Sequence, residues 1–210
     1  QYFIPEMGAP QIRLRQLCIE LISQGIDVEV ITAMPNYPEG RIHNGYKYKI
    51  YKKEIIDGIS IKRTFIYPAA GKNPIRRLIN YFSFTLTCFL PLFFSKKPDL
   101  VFVEAMPIIL AIPALILKYL KKVPYVYNTP DLQIEYADQK KWIKSKSLIN
   151  LAKNIERFLM KNSLSTTTVT HSFINYFSKE RRIDKNTFSF LPNGADTDFL
   201  KPIPRDVKIE

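Results

Sequence analysis

Apolar positions change their spacing several times along the chain, and each change marks a new element. Leu14, Leu17, Cys18, Leu21 and Ile22 fall on one helical face, and Gly25 supplies a left-handed stop before the run DVEVIT. Val28, Val30 and Ile31 in that run suit a buried parallel strand, so with the apolar start at residues 2–4 the chain opens as a βαβ unit. A loop dense in Pro, Gly and Asn follows, AMPNYPEGRIHNGY. Residues 46–67 then alternate, and Asp57-Gly58 between two β-branched runs predicts a β-hairpin inserted into the α/β order.

After KNPIRRLINYFSFTLTCFLPLFFSKKPD come a buried strand, LVFVEA, a helix, PIILAIPALILKYLKK with Pro113 inside it, and another strand, PYVYNT. Ser147 to Lys161 reads as a helix with Leu148, Leu151, Ile155, Phe158 and Leu159 on one side. STTTVTHS and TFSFLPNG add two short strands around a helix at Phe173 to Lys179. Six parallel strands alternating with helices predict a doubly wound α/β sheet, with ligand chemistry in the loops at the carboxyl ends of the strands.

The aromatic run from Ile79 to Phe94 is 16 residues, interrupted by Asn80, Ser83, Thr85, Thr87 and Pro91, whereas a membrane span needs about 20 apolar residues. It reads instead as a helix that packs one side on the sheet. Its flanks, Lys72, Arg76 and Arg77 before and Lys96 and Lys97 after, suit contact with anionic lipid headgroups.

Charge sharpens this picture. Lys plus Arg total 31 against 19 acids, a net +12 in 210 residues, which favours an anionic partner. Nucleic acid is set aside, because neither RNP-type aromatics nor a zinc-finger spacing occurs. Cys18 and Cys88 lie far apart inside apolar patterns, which predicts buried free thiols in a reducing compartment, and two Cys with two His lack the local spacing of a metal site.

The stretch PEMGAP places a glycine after the first predicted strand and directly before a helix, a geometry in which backbone amides at a helix start face negative charge such as a diphosphate. Neither G-x-G-x-x-G nor G-x-x-x-x-G-K-[ST] is present, so a dinucleotide oxidoreductase and a P-loop phosphotransferase are unsupported. His171 after a strand reads as a satisfied histidine at a sheet edge rather than a base.

Four segments in order, PEMGAPQIRLRQL, GIDVEVITAMPNYPEGRIHNGYK, EIIDGISIKRTFIYP and FLPNGADTDFLKP, resemble the amino-terminal half of family-4 retaining glycosyltransferases, most of all the polysaccharide-assembling members similar to the colanic acid enzymes. The resemblance runs from residue 2 to about residue 202. It implies one Rossmann-like half of a GT-B fold: an acceptor-side domain over 1–202, the start of an interdomain hinge over 203–210, and a donor-binding domain beyond. On this reading the chain is a fragment, cut within the first strand at one end and at the hinge at the other.

The resemblance also implies roles. Gly8 and Ala9 match the loop placed against the donor diphosphate, Arg13 an arginine in the first helix, and Asn36, Tyr37 and Pro38 the acceptor-side loop after the second strand. Asp131, in NTPDLQIEYA, matches a cleft-facing acid and is the candidate catalytic residue, although Gln133 and Ile134 replace the Trp-Pro of many relatives. Asp196-Thr197-Asp198 lies inside the hinge motif and is read as structural, so no metal and no cofactor are expected. The implied partners are a nucleotide-sugar, a polyprenyl-diphosphate-linked saccharide and the inner-membrane surface, for a protein that is cytoplasmic and peripheral to that membrane. Two readings compete: a nucleotide-sugar epimerase of similar fold, and a half that docks to membrane or acceptor without catalysis.

Overall fold

The computed structural model describes residues 1–71, 73–194 and 201. The strands form two sheets, one of three strands and one of four. In the first, β1 (Glu29–Ala33) runs parallel to β3 (Ile59–Thr64), and β2 (Tyr51–Ile56) pairs antiparallel with β3. Asp57 and Gly58 both take positive φ, 53° and 77°, which is what a two-residue hairpin turn demands. In the second sheet β4 (Val101–Glu104), β5 (Tyr125–Asn128), β6 (Ser165–Thr168) and β7 (Phe188–Phe190) lie side by side in chain order, all parallel. The inserted hairpin and the Rossmann-like α/β architecture are therefore as the sequence predicts.

The crossover helices are α2 (Pro74–Phe94), α3 (Ala111–Lys121, entered through a 3₁₀ turn at Ile108–Leu110), α5 (Lys146–Asn162) and α6 (His171–Arg181). Pro113 falls in the first turn of α3, where its missing N–H costs nothing. Phe84, Tyr125, Tyr127, Leu159 and Phe177 fill the core between these helices and the four-stranded sheet. A smaller core of Phe3, Ile4, Cys18, Ile59 and Ile61 lies beneath α1 (Ala9–Ser23). Gly25 ends α1 as predicted, at φ 80°. Cys18 and Cys88 are both free and buried, and burial pushes their thiols up to about 11 and about 12.

Four features depart from the sequence reading. Residues 2–4 form no strand and β1 pairs with the hairpin in a sheet apart from β4–β7, so the six-stranded parallel set is not realised. The amide of Phe3 is taken by the Glu6 carboxylate at 3.0 Å instead of a ladder partner, and Glu6 N turns back onto Phe3 O. Only the Gln1 carbonyl keeps to β1, accepting from Ala33 N at 3.2 Å and Thr32 Oγ1 at 2.8 Å. A short helix, α4 (Gln133–Gln139), follows β5, in a stretch to which the sequence reading gives no element.

The helix at 74–94 is 21 residues long and continues through Pro91, so length does not argue against a span. Residues Ile75–Phe94 are long and apolar enough to cross a membrane by length and composition. Its inner side, however, is bonded to the domain. Asn80 Nδ2 donates to Tyr67 O at 2.7 Å, Ser83 Oγ accepts from Tyr67 N at 2.8 Å and Thr87 Oγ1 donates to Phe65 O at 2.5 Å, while Phe84 and Cys88 enter the core.

Helix α5 is turned the other way from what its apolar stripe suggests. Leu148, Leu151, Ile155 and Phe158 are 56%, 54%, 36% and 53% exposed, while Glu156 is 2% exposed with Leu159 and Met160 beside it in the core. The charge is buried because α6 meets it there: Arg181, also 2% exposed, donates through Nε to Glu156 Oε2 at 2.7 Å and through Nη2 to Glu135 Oε1 of α4 at 2.7 Å. Burial pushes the Glu156 carboxyl up to about 7, against the pull of Arg181.

Candidate active site

At the carboxyl end of the four-stranded sheet, parallel register sets three side chains abreast. Glu104, Asn128 and Thr167 are successive partners across β4, β5 and β6, and parallel pairing turns their side chains to one face. They bond in a row: Thr167 Oγ1 donates to Asn128 Oδ1 at 2.8 Å, and Asn128 Nδ2 donates to Glu104 Oε2 at 2.5 Å. The other carboxylate oxygen, Glu104 Oε1, accepts from Arg13 Nη2 at 2.5 Å. Arg13 Nη1 continues to Asn193 Oδ1, beyond β7, at 3.1 Å. One line of polar groups thus ties α1 to the mouths of the strands.

Arg13 stands on the second turn of α1, whose first i to i−4 bond is Ile12 N to Gly8 O at 3.1 Å. The amides of Ala9 and Gln11 therefore have no partner within the helix, and Pro10 brings none. Ala9 and Pro10 are exposed, so this helix start faces solvent. Gly8 has φ 175°, open to any residue; the room left by its missing Cβ is occupied by Gln11, whose Oε1 would lie 2.6 Å from that atom.

The loop after β1 is bound to the opening loop through one buried carboxylate. Glu6 Oε1 accepts from Asn36 N at 2.7 Å and from Tyr37 N at 2.8 Å. Burial pushes the Glu6 carboxyl above its ordinary range, against those amides and that of Phe3. Asn36 is 2% exposed and turns its side chain inward, Nδ2 donating to Met34 O at 3.0 Å, which braces the loop. Tyr37 and Pro38 are exposed. Gly40 closes the turn at φ 65°, and a Cβ there would sit 2.5 Å from Ala69 O and 2.6 Å from Ala70 Cα. A Gly40→Ala variant is expected to lose about 2–4 kcal/mol, from left-handed strain plus backbone overpacking, read as a lowered urea midpoint.

Asp131 is exposed, three residues beyond Asn128, and its carboxylate makes no hydrogen bond to the described residues; only its carbonyl is held, by Thr129 Oγ1 at 3.2 Å. The structure thus ties Arg13, a turn after Gly8 and Ala9, to the sheet's carboxyl edge, ties the Tyr37-Pro38 loop to the opening loop through Glu6, and sets Asp131 in the loop leaving β5. It does not gather the four described basic residues among the five assigned to lipid. Arg76 and Arg77 open α2, while Lys96 and Lys97 follow its far end, about 30 Å away. Lys72, Asp196, Asp198 and the hinge at 203–210 lie outside the described residues.

Sequence reasoning missed Glu6, Glu104, Asn128 and Thr167. For the last three the one signal is a polar residue at the end of a strand: VFVE, YVYN and the threonines of STTT.

Comparison with known proteins agrees with this architecture. The family model Glycosyltransferase Family 4 matches residues 11–199. The chain is 26% identical over 185 residues to WcaI, a protein of Escherichia coli (strain K12) whose name describes a glycosyl transferase of colanic acid biosynthesis. That alignment covers 84% of this chain and 44% of WcaI, so the chain spans less than half the length of this relative. With the family match extending over most of its length, on a Rossmann-like α/β fold with a polar site at the carboxyl edge of a parallel sheet, the chain belongs to glycosyltransferase family 4.

Proposed function

We propose that this chain is the acceptor-side half of a retaining glycosyltransferase that moves a sugar, of the hexosyl type, from a nucleotide-sugar to a membrane lipid-linked saccharide in cell-surface polysaccharide assembly. The observation that carries the reading is Arg13, held by the Glu104–Asn128–Thr167 row beside the open amino terminus of α1. Sugar transfer from a nucleoside diphosphate builds negative charge on the leaving diphosphate. Fixed amides and a cation aimed at that charge stabilise the transition state without reorganising. Ala9 and Gln11 amides with Arg13 form such a set, and on this reading no metal is needed. Asp131 is free to meet the acceptor hydroxyl, and Tyr37 with Pro38 offers it an apolar rest.

The full-length protein is tested with radiolabelled uridine- and guanosine-diphosphate hexoses and a polyprenyl-diphosphate-linked saccharide. Label passing into the lipid fraction is the expected result. Label that stays on the nucleotide with an altered sugar would establish an epimerase, and no turnover with any donor would leave a docking half.

A further inference from the structure

The outward stripe of α5 is not explained by the fold, since four apolar side chains at helical spacing face solvent while a glutamate is buried behind them. It is also not isolated. At their starts, α2 and α5 meet through Arg77, whose guanidinium lies 6.0 Å from the ring of Trp142, just before α5. At their far ends α3 joins them: Lys121 donates to Phe93 O, and Tyr119 Oη donates to Asn162 Oδ1 at 2.7 Å. The two helices therefore run in the same direction on either side of α3. The outer side of α2 is apolar as well, with Phe82, Leu86 and Leu90 at 49%, 71% and 58% exposure.

Charge identifies what covers this face. Between residues 140 and 164 the single acid is Glu156, and it is buried; Lys140, Lys141, Lys144, Lys146 and Lys161 are all exposed. Apolar rows edged by unopposed positive charge complement an anionic bilayer surface. A second copy of the same face would bring lysines against lysines.

We propose that α5 is the second half of a membrane-seating face, its Leu148, Leu151, Ile155 and Phe158 entering the headgroup layer alongside the stripe of α2, with Trp142 between them. This rests on the reading of the protein as a membrane-peripheral transferase. It places the bilayer against both helices, beyond the basic flanks of α2.

The test uses the full-length protein with vesicles of equal parts phosphatidylcholine and phosphatidylglycerol at low salt, and with pure phosphatidylcholine as control. Leu151→Glu/Phe158→Glu is expected to lower partition onto the anionic vesicles by about tenfold or more, as is Phe82→Glu/Leu86→Glu. Trp142 emission, isolated by subtracting a Trp142→Phe variant, is expected to shift to the blue on binding and to be quenched by brominated lipid. These side chains are exposed, so the variants keep wild-type melting. If the wild type ignores both vesicle types, the membrane reading falls and this inference with it. If the wild type binds and the α5 variant binds equally while the α2 variant does not, the inference alone is overturned. An α5 variant that turns a dimer into a monomer in sedimentation, with vesicle partition unchanged, also overturns it in favour of self-association.

Discussion

Replacing Arg181 with alanine is expected to remove about 3–5 kcal/mol of folding stability, because it leaves the Glu156 and Glu135 carboxyl groups without their shared partner, Glu156 in a site that is 2% exposed. Against total stabilities of about 5–15 kcal/mol for a domain, that loss leaves a large fraction unfolded near body temperature. The guanidinium holds Glu156 of α5 and Glu135 of α4 from its place on α6, so three helices lose their shared tie at once. Urea unfolding followed by circular dichroism gives the number. The comparison that isolates the cause is Arg181→Met with Glu156→Met, which replaces the pair by apolar volume and is expected to recover most of the loss. A cost below about 1 kcal/mol for the single change would show that Glu156 simply takes up a proton without penalty.

The second large effect concerns transfer. Arg13→Ala is expected to lower kcat/KM of the full-length enzyme by about 10²–10³-fold, the scale for one preorganised group facing developing charge. Glu104→Gln keeps the shape but loosens the guanidinium, and a loss of about 10–100-fold is expected, mostly in kcat. Both variants need wild-type melting for the comparison to count, since Glu104 is half of a partly buried ion pair. An Arg13→Ala enzyme within about twofold of wild type would remove Arg13 from the mechanism and with it the assignment of the row as its support.

Much of the fold is legible because its signals are local. Asp57-Gly58 dictates its turn whatever surrounds it, Gly25 stops α1, and the apolar runs LVFVEA and PYVYNT read as strands and form β4 and β5. What fails is what depends on neighbours. Residues 2–4 have strand composition, but Glu6 claims the amide that a strand would use. The stripe on α5 is plain in the sequence, yet periodicity says only that a side is apolar, and here Arg181 from a distant helix decides that the other side goes in.

Of the residues that family resemblance marks, Arg13 is bonded to Glu104 at the carboxyl edge of the four-stranded sheet, and the Asn36-Tyr37-Pro38 loop is tied to the opening loop through Glu6. In the structure Asn36 bonds within its own loop, and Arg13 is paired with Glu104. Glu104, Asn128 and Thr167 were illegible, as they are far apart in sequence and meet only through parallel register.

That register makes the row a vernier for the sheet. Sliding β5 by one residue against its neighbours would turn Asn128 to the opposite face and put Tyr127 in its place, so Glu104 and Thr167 would lose a shared partner together. Damage at these three positions should therefore appear jointly as misassembly and inactivity in any selection for function. Asp131, one loop farther on and bound only through its carbonyl, can vary in chemistry while the sheet stays aligned.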